Sequence, residues 1–204
     1  MCIRDSLNTD ALYPGKYTYQ DDITPEKQAE VVMENYDPRF ASAVAAEVAK
    51  LAERQLPEGT RGGAILIGGY NFGTGSSREQ AATALKYAGV PVVLAGSFSD
   101  VFKRNAINNG LVCLQCADLV EDLTAEYARD GQRGRGGRRD GEISVMLEGA
   151  TLDLESGSGR VRLTLPDGKV KEYTTVPAGI GRSVQEIYVC LLYTSDAADD
   201  TPCV

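Results

Sequence analysis

The stretch with the most chemistry in it is Gly68-Gly69-Tyr70-Asn71-Phe72-Gly73-Thr74-Gly75-Ser76-Ser77-Arg78-Glu79. It follows a short apolar run, Ala64-Ile65-Leu66-Ile67, suited to a buried strand, and precedes a helix expected from about Ser77 to Tyr87. A glycine-rich turn at a helix N-terminus presents backbone amides and the positive end of the helix dipole, a ready cradle for an anion. Gly73 and Gly75 can take left-handed backbone angles and let the chain approach a ligand closely. At the mouth stand two hydroxyls, Ser76 and Ser77, and the Arg78 guanidinium, which can hold a carboxylate bidentately. Ser76 falls where backbone donors could stabilise an alkoxide. The competing reading is a capping arrangement, with Ser76 or Ser77 as N-cap and Glu79 or Gln80 reaching back.

Other chemistries fail on spacing. A dinucleotide fingerprint needs a glycine where Arg78 stands, and a phosphate-binding loop needs a Gly-Lys-Ser/Thr that is absent. Cys113-Leu114-Gln115-Cys116 has redox or metal spacing but lies in an expected strand, where positions three apart point to opposite faces, so both thiols read as buried and inert. The chain of 204 residues has no histidine, which removes Ser-His-Asp and Cys-His catalysis, histidine-ligated zinc and an imidazole base. With 21 Lys+Arg against 29 Asp+Glu and a net charge of -8, it lacks the basic stripe of a nucleic-acid binder. No run approaches the ~18 apolar residues of a membrane span. Arg133, Arg135, Arg138 and Arg139 in the Gly131–Gly141 loop are flanked by Asp130, Asp140 and Glu142, and read as a solvated loop in preference to a binding patch.

The elements that must position the turn alternate. Strands at Val90–Ala95 and Leu111–Cys116 and helices at Asp100–Asn108 and Leu119–Ala128 continue the strand-helix pattern, which implies a parallel sheet with right-handed crossovers. Upstream, Asp10 to Lys16 is a turn-bearing segment around Pro14-Gly15. Thr24-Pro25-Glu26 starts a helix with Ala29, Val32, Met33 and Tyr36 on one face, and Asp37-Pro38 starts another with Phe40, Val44, Val48 and Leu51 inward until Pro57-Glu58-Gly59. Downstream, alternating strands at Glu142–Leu154, Val161–Leu165 and Lys169–Val176 include a hairpin turned at Pro166-Asp167-Gly168.

Both ends stand apart. MCIRDS (residues 1–6) and CLLYTSDAADDTPCV (residues 190–204) resemble translated sequencing adapter and are set aside as artefact, a genuine unstructured terminus being the other reading. That leaves Leu7 to Val189, 183 residues with a charge of -5, as the domain. Of five cysteines only Cys113 and Cys116 remain, no disulfide framework, which fits a reducing compartment.

Asn71-Phe72-Gly73-Thr74-Gly75-Ser76-Ser77-Arg78-Glu79-Gln80-Ala81 resembles the signature of the aconitase superfamily's swivelling domain. Asn8-Thr9-Asp10 through Pro14-Gly15-Lys16-Tyr17-Thr18-Tyr19-Gln20 resembles that domain's opening segment. Gly96-Ser97-Phe98 through Phe102-Lys103-Arg104-Asn105-Ala106-Ile107-Asn108-Asn109-Gly110 resembles its second long motif, and Ser183-Val184-Gln185-Glu186-Ile187-Tyr188 its closing segment. Within the superfamily, Tyr17-Thr18-Tyr19-Gln20 and Gln80 favour the homoaconitate hydratase branch. The helix from Phe40 to Gln55 is longer than the family pattern.

The resemblance implies an α/β swivelling domain, a three-layer β/β/α arrangement with a mostly parallel sheet. It implies a hydro-lyase interconverting homocitrate, homoaconitate and homoisocitrate in lysine biosynthesis. The near alternative is the same domain of 3-isopropylmalate dehydratase or aconitase, and the more distant one a non-catalytic anion-binding module. In the family a [4Fe-4S] cluster acts as Lewis acid and a serine alkoxide removes a proton from the adjacent carbon. Carried over, Ser76 is the base, Ser77 a neighbouring hydrogen-bond donor and Arg78 the carboxylate clamp. Lys16 is a second carboxylate contact, Asp10 a brace for its own turn, and Asn105, Asn108 and Asn109 capping and packing residues. The cluster's ligands are expected on the large domains, in the same chain or a large subunit, with neither Cys113 nor Cys116 among them, so this chain alone is expected to be inactive. Expected partners are those domains and a tricarboxylic-acid substrate, with no nucleic acid and no membrane. The expected location is mitochondrial for a eukaryotic homoaconitase and otherwise cytoplasmic.

Overall fold

The computed structural model describes residues 5–20, 22–56, 62–127, 147, 149–155 and 158–177. At its centre β1 (Ile65–Gly68), β2 (Val92–Ala95) and β3 (Val112–Gln115) run parallel, with Ile65 opposite Val92 and Val92 opposite Val112. These are the apolar runs expected from sequence, continuous and not alternating because both faces of the sheet are covered. A short strand, β7 (Val176–Pro177), adds antiparallel to β3. Since the parallel strands are ordered as in the sequence, crossovers of one hand place their connecting helices on one face.

That face carries α4 (Gln80–Tyr87) and α5 (Asp100–Asn108). Leu66, Val93, Ala95 and Cys113 point towards them and join Ala81, Leu85, Phe102 and Ala106 in one core. Packed beyond α4 are α1 (Thr9–Leu12), a 3-10 turn (Gly15–Tyr17), α2 (Pro25–Val31) and α3 (Phe40–Ala52). The opposite face, Ile67, Leu94, Val112 and Leu114, is covered by Leu119, Val120 and Leu123 of α6 (Ala117–Tyr127) and by a second sheet. That sheet is the antiparallel meander β4 (Thr151–Glu155), β5 (Arg160–Thr164) and β6 (Val170–Thr174). Val161 and Leu163 of β5 point inward while Arg160 and Arg162 face out, the period-2 signature of a half-buried strand. Tyr173 Oη donates to Asp122 at 2.9 Å and Lys171 pairs with Glu126 at 3.0 Å, fastening the meander to α6. The result is the three-layer α/β arrangement, with β7, among the described residues, the single antiparallel member of the main sheet.

Element limits follow their caps where caps exist. Ser99 accepts from the Phe102 amide and starts α5, and Thr24 accepts from the Lys27 amide and starts α2 ahead of Pro25. Two expectations are corrected. The helix at Pro25 stops at Val31 because Val32 is extended and Met33 takes φ +58°; Val32, Met33 and Tyr36 are buried as a loop, not as a helix face. And α4 begins at Gln80, three residues later than expected, with no side-chain cap, so the serines are not spent on capping. The Asp10–Lys16 segment is a helix followed by a 3-10 turn.

The Pro166-Asp167-Gly168 turn is present, with Gly168 at φ +83° and its amide donating to the Leu165 carbonyl at 2.9 Å. Of the strand expected over Glu142–Leu154, Thr151–Leu154 forms and runs on to Glu155, whereas Gly149, at φ +77°, stands in a turn before it. The Arg-rich loop 131–141, the motif Ser183–Tyr188 and the tail 190–204 lie outside the described residues. Asp5 and Ser6, within the segment set aside at the start, bond to Tyr70: its amide donates to Asp5 Oδ1 at 2.8 Å, and its carbonyl accepts from the Ser6 amide at 2.7 Å. Among the described residues no helix is long and apolar enough to cross a membrane.

Candidate active site

Between β1 and α4 the chain makes an eleven-residue loop, 69–79, held from both sides. On one side the Gly73 amide donates to the Leu7 carbonyl at 2.8 Å, and the Thr9 amide to the Thr74 carbonyl at 2.8 Å. On the other, Phe72 and residues 97–99 exchange backbone bonds of 2.9 Å, and Ser99 Oγ donates to the Gly73 carbonyl at 2.7 Å while capping α5. Beneath, Phe72, Phe98 and Phe102 form an aromatic cluster, the Phe72 and Phe102 rings edge-to-face at 5.3 Å. Gly73 (φ +74°) lies directly on Phe102, so a Cβ there would enter the ring; Gly75 has φ +108°. The loop is therefore a fixed platform whose backbone only glycine permits at these two points.

The platform holds Ser76 and Ser77 exposed to solvent. The Ser76 carbonyl accepts from Thr9 Oγ1 at 3.0 Å, and its hydroxyl lies 3.5 Å from the same oxygen. Ser77 Oγ accepts from the buried Asn105 side chain at 3.4 Å. Among the described residues, the backbone amides of Ser76 to Glu79 have no acceptor, which leaves four consecutive donors for a ligand or water. The loop, not the helix, supplies these donors: with α4 starting at Gln80, its dipole acts on Ser76 from beyond its first turn.

Arg78 turns back to the opening segment. Its Nη1 bonds to Asp10 Oδ1 and donates to the Tyr13 carbonyl at 3.2 Å, and the guanidinium lies across Gly15, where a Cβ would be 3.4 Å from Nη2. The guanidinium is 17% exposed and its carboxylate partner 54%. Among the described residues both bonds use Nη1, so Nε and Nη2 keep their donors for a second carboxylate. Asp10, expected to brace its own turn, instead holds Arg78 across 68 residues of sequence; Asn8 caps α1 through the Ala11 amide at 2.8 Å.

Lys16 is placed differently. Its ammonium pairs with Glu34 at 2.7 Å and sits 4.8 Å over the Tyr17 ring, and Tyr17 Oη donates to the same carboxylate at 3.0 Å. The hydrogen bond between them raises the Lys16 pKa and lowers that of Glu34. Lys16 thus neighbours the Arg78 seat through Gly15 while its charge is committed elsewhere. Asn109 caps α5 and donates to the Asn105 carbonyl at 2.8 Å, in line with a structural role.

Cys113 and Cys116 are both buried and belong to the cores on opposite faces of the sheet. Burial pushes both thiols up from their ordinary range. Sequence reasoning assigned no function to Thr9 and gave Asn105 only packing. The one available signal was Thr9's place beside Asp10 in the opening motif, since contacts 67 residues apart leave no local pattern.

Comparison with known proteins identifies the family. The profile of the aconitase C-terminal domain matches residues 8–119, which include the loop, α1 and the Asn105 helix. Homoaconitase, mitochondrial, of Mycosarcoma maydis is 60% identical over 189 residues, covering 91% of this chain and 25% of the relative. The protein of the same name from Cryptococcus neoformans var. neoformans serotype D is 54% identical over 186 residues, with the same coverage. The chain thus spans about a quarter of the length of these curated relatives. Among solved structures, 3-isopropylmalate dehydratase of Methanocaldococcus jannaschii superposes with a TM-score of 0.55 at 25% identity, over 94% of this chain and 92% of that one. By motif, by architecture and by the matched span, the chain belongs to the aconitase C-terminal domain family.

Proposed function

We propose that this chain is the swivelling domain of a homoaconitate hydratase and supplies the base and a carboxylate clamp for reversible dehydration of a hydroxy tricarboxylic acid. The observation that supports this most is that one loop carries Ser76, four amides with no acceptor among the described residues, and Arg78 bonded through Nη1 alone. The relatives' names favour homoaconitate over isopropylmalate. Their mitochondrial naming makes that compartment part of the proposal.

In the dehydration direction, Arg78 binds a substrate carboxylate through Nε and Nη2 while Asp10 and the Tyr13 carbonyl fix Nη1. Ser76 as alkoxide takes the proton from the carbon beside the hydroxyl-bearing one. That C–H pair becomes the new C=C bond, hydroxide departs from the neighbouring carbon, and the proton stays on Ser76 Oγ. A serine is a poor base unless its anion is stabilised, and fixed amide donors in a loop that needs no reorganisation provide that. Hydration runs the same steps in reverse.

The described residues do not fit the iron-sulfur cluster that aconitase-type chemistry employs. Cys113 and Cys116 are buried on opposite faces and held protonated, and no three of the described Cys, Asp and Glu residues converge. In this proposal the [4Fe-4S] cluster is therefore held by separate cluster-bearing domains, which the Ser76 face meets.

Reassembly with those domains tests the reading by following the absorbance of the unsaturated acid. Hydration of homoaconitate is expected from the reassembled enzyme and none from this chain alone. Robust activity of the chain alone, or preferential turnover of isopropylmalate, would overturn it.

A further inference from the structure

We infer that Thr9 is the positioning residue for Ser76: its hydroxyl holds the Ser76 side chain in place and switches to donate to the alkoxide when that forms. This rests on the reading of Ser76 as base. Thr9 is 1% exposed, and its amide bond to the Thr74 carbonyl at 2.8 Å locks its backbone to the loop. Its side chain is β-branched, which restricts χ1, and the two contacts to Ser76 fix where its oxygen stands. Gly75 leaves the space above it, where a Cβ would lie 3.3 Å from Oγ1.

The hydroxyl has one proton and two lone pairs. At rest the proton goes to the Ser76 carbonyl, at 3.0 Å, and a lone pair faces the Ser76 hydroxyl at 3.5 Å. With Ser76 deprotonated, that lone pair would face an anion. Rotation about the Thr9 C–O bond then moves the proton onto Ser76 Oγ, making a charge-assisted hydrogen bond about twice as strong as a neutral one. Thr9 is buried and has no water competing for its proton, and the Ser76 carbonyl gives up a neutral hydrogen bond for the stronger charged one. The loop amides stabilise the anion from the backbone; Thr9 adds a side-chain donor that a structure of the neutral serine shows aimed elsewhere.

The test uses the enzyme reassembled with its cluster-bearing domains and compares Thr9→Val, of equal shape without the hydroxyl, with Thr9→Ser, which keeps it. Loss of one donor to a developing oxyanion costs about 10²-fold in rate. Thr9→Val is expected to lower kcat by about that factor with KM nearly unchanged, and to move the rising limb of the pH–rate profile up by about two units, the equivalent of that factor. Thr9→Ser is expected to restore both, and Thr9→Ala, should the valine variant fail to assemble, to reproduce the shifted limb. A merely structural role would lower thermal stability and leave the limb in place. An unshifted limb in the valine or alanine variant, or a serine variant as impaired as they are, would overturn the inference. Ser76→Ala run alongside separates the two readings: if it retains turnover the assignment of the base fails, whereas an inactive Ser76→Ala beside an unshifted Thr9→Val fails Thr9 alone.

Discussion

Replacing Gly73 with alanine puts a methyl where the structure has the Phe102 ring, at a backbone angle of φ +74°. Two costs add. A side chain held in the left-handed region costs about 1–2 kcal/mol, and forcing a methyl into a filled core costs about 1–3 kcal/mol. Phe102 is fully buried against Phe72 and Phe98, so its ring can yield only by displacing them. The sum is roughly 2–5 kcal/mol, which for a chain of this size corresponds to a fall in Tm of about 4–20 °C. Gly168→Ala is the internal control: its φ is +83°, but nothing lies within 4 Å of a Cβ there, so only the backbone cost applies. Urea unfolding of both variants isolates the steric part. Because Gly73 lies three residues before Ser76, its displacement also moves the base, and misplacement by ~1 Å can cost about 10²-fold in turnover. A Gly73→Ala chain no less stable than Gly168→Ala would refute the reasoning that Phe102 dictates this position.

Asp10→Asn removes the charge that holds Nη1 of Arg78. Asp10 is half exposed, so stability should change by less than ~1 kcal/mol, while KM in the reassembled enzyme should rise several-fold with kcat less affected; an unchanged KM would remove Asp10 from the clamp. Cys113 and Cys116 should resist alkylation at neutral pH until the chain unfolds, because burial keeps both thiols protonated; peptide mass mapping that finds either labelled in the native state would contradict their placement. Glu34 has its pKa lowered, chiefly by its hydrogen bond to Lys16, so its contribution to stability is present above its ordinary value of 4.5 and is lost as pH falls below it; Glu34→Gln should flatten that part of the acid-unfolding curve, and a superimposable curve would count against the tether.

The parallel sheet was legible because buried strands carry local marks, the apolar runs ending at Ile67, Ala95 and Cys116, and the start of α2 was legible from Thr24-Pro25. Local marks also misled. Val32, Met33 and Tyr36 keep helical spacing, yet the left-handed backbone at Met33 ends α2 and buries them as a loop. Ser76 and Ser77 look like caps, and only the observed start at Gln80 shows that they are not. The loop's composition announced its chemistry. Its supports did not: Asp10 to Arg78 and Thr9 to Ser76 are pairings 68 and 67 residues apart, which no periodicity encodes. The strand β7 is two residues long and forms only through its pairing with β3, so it has no pattern of its own.

The central claim is that Ser76 carries the proton and Arg78 the carboxylate. Ser76→Ala in the reassembled enzyme, read by turnover and by calorimetric substrate binding on the same preparation, tests it most directly. The account expects turnover to fall by about 10²–10⁴-fold, the usual contribution of a positioned base, with substrate affinity within about threefold of wild type. Retained turnover, or affinity lost in step with turnover, would contradict it and leave the loop as an anion cradle.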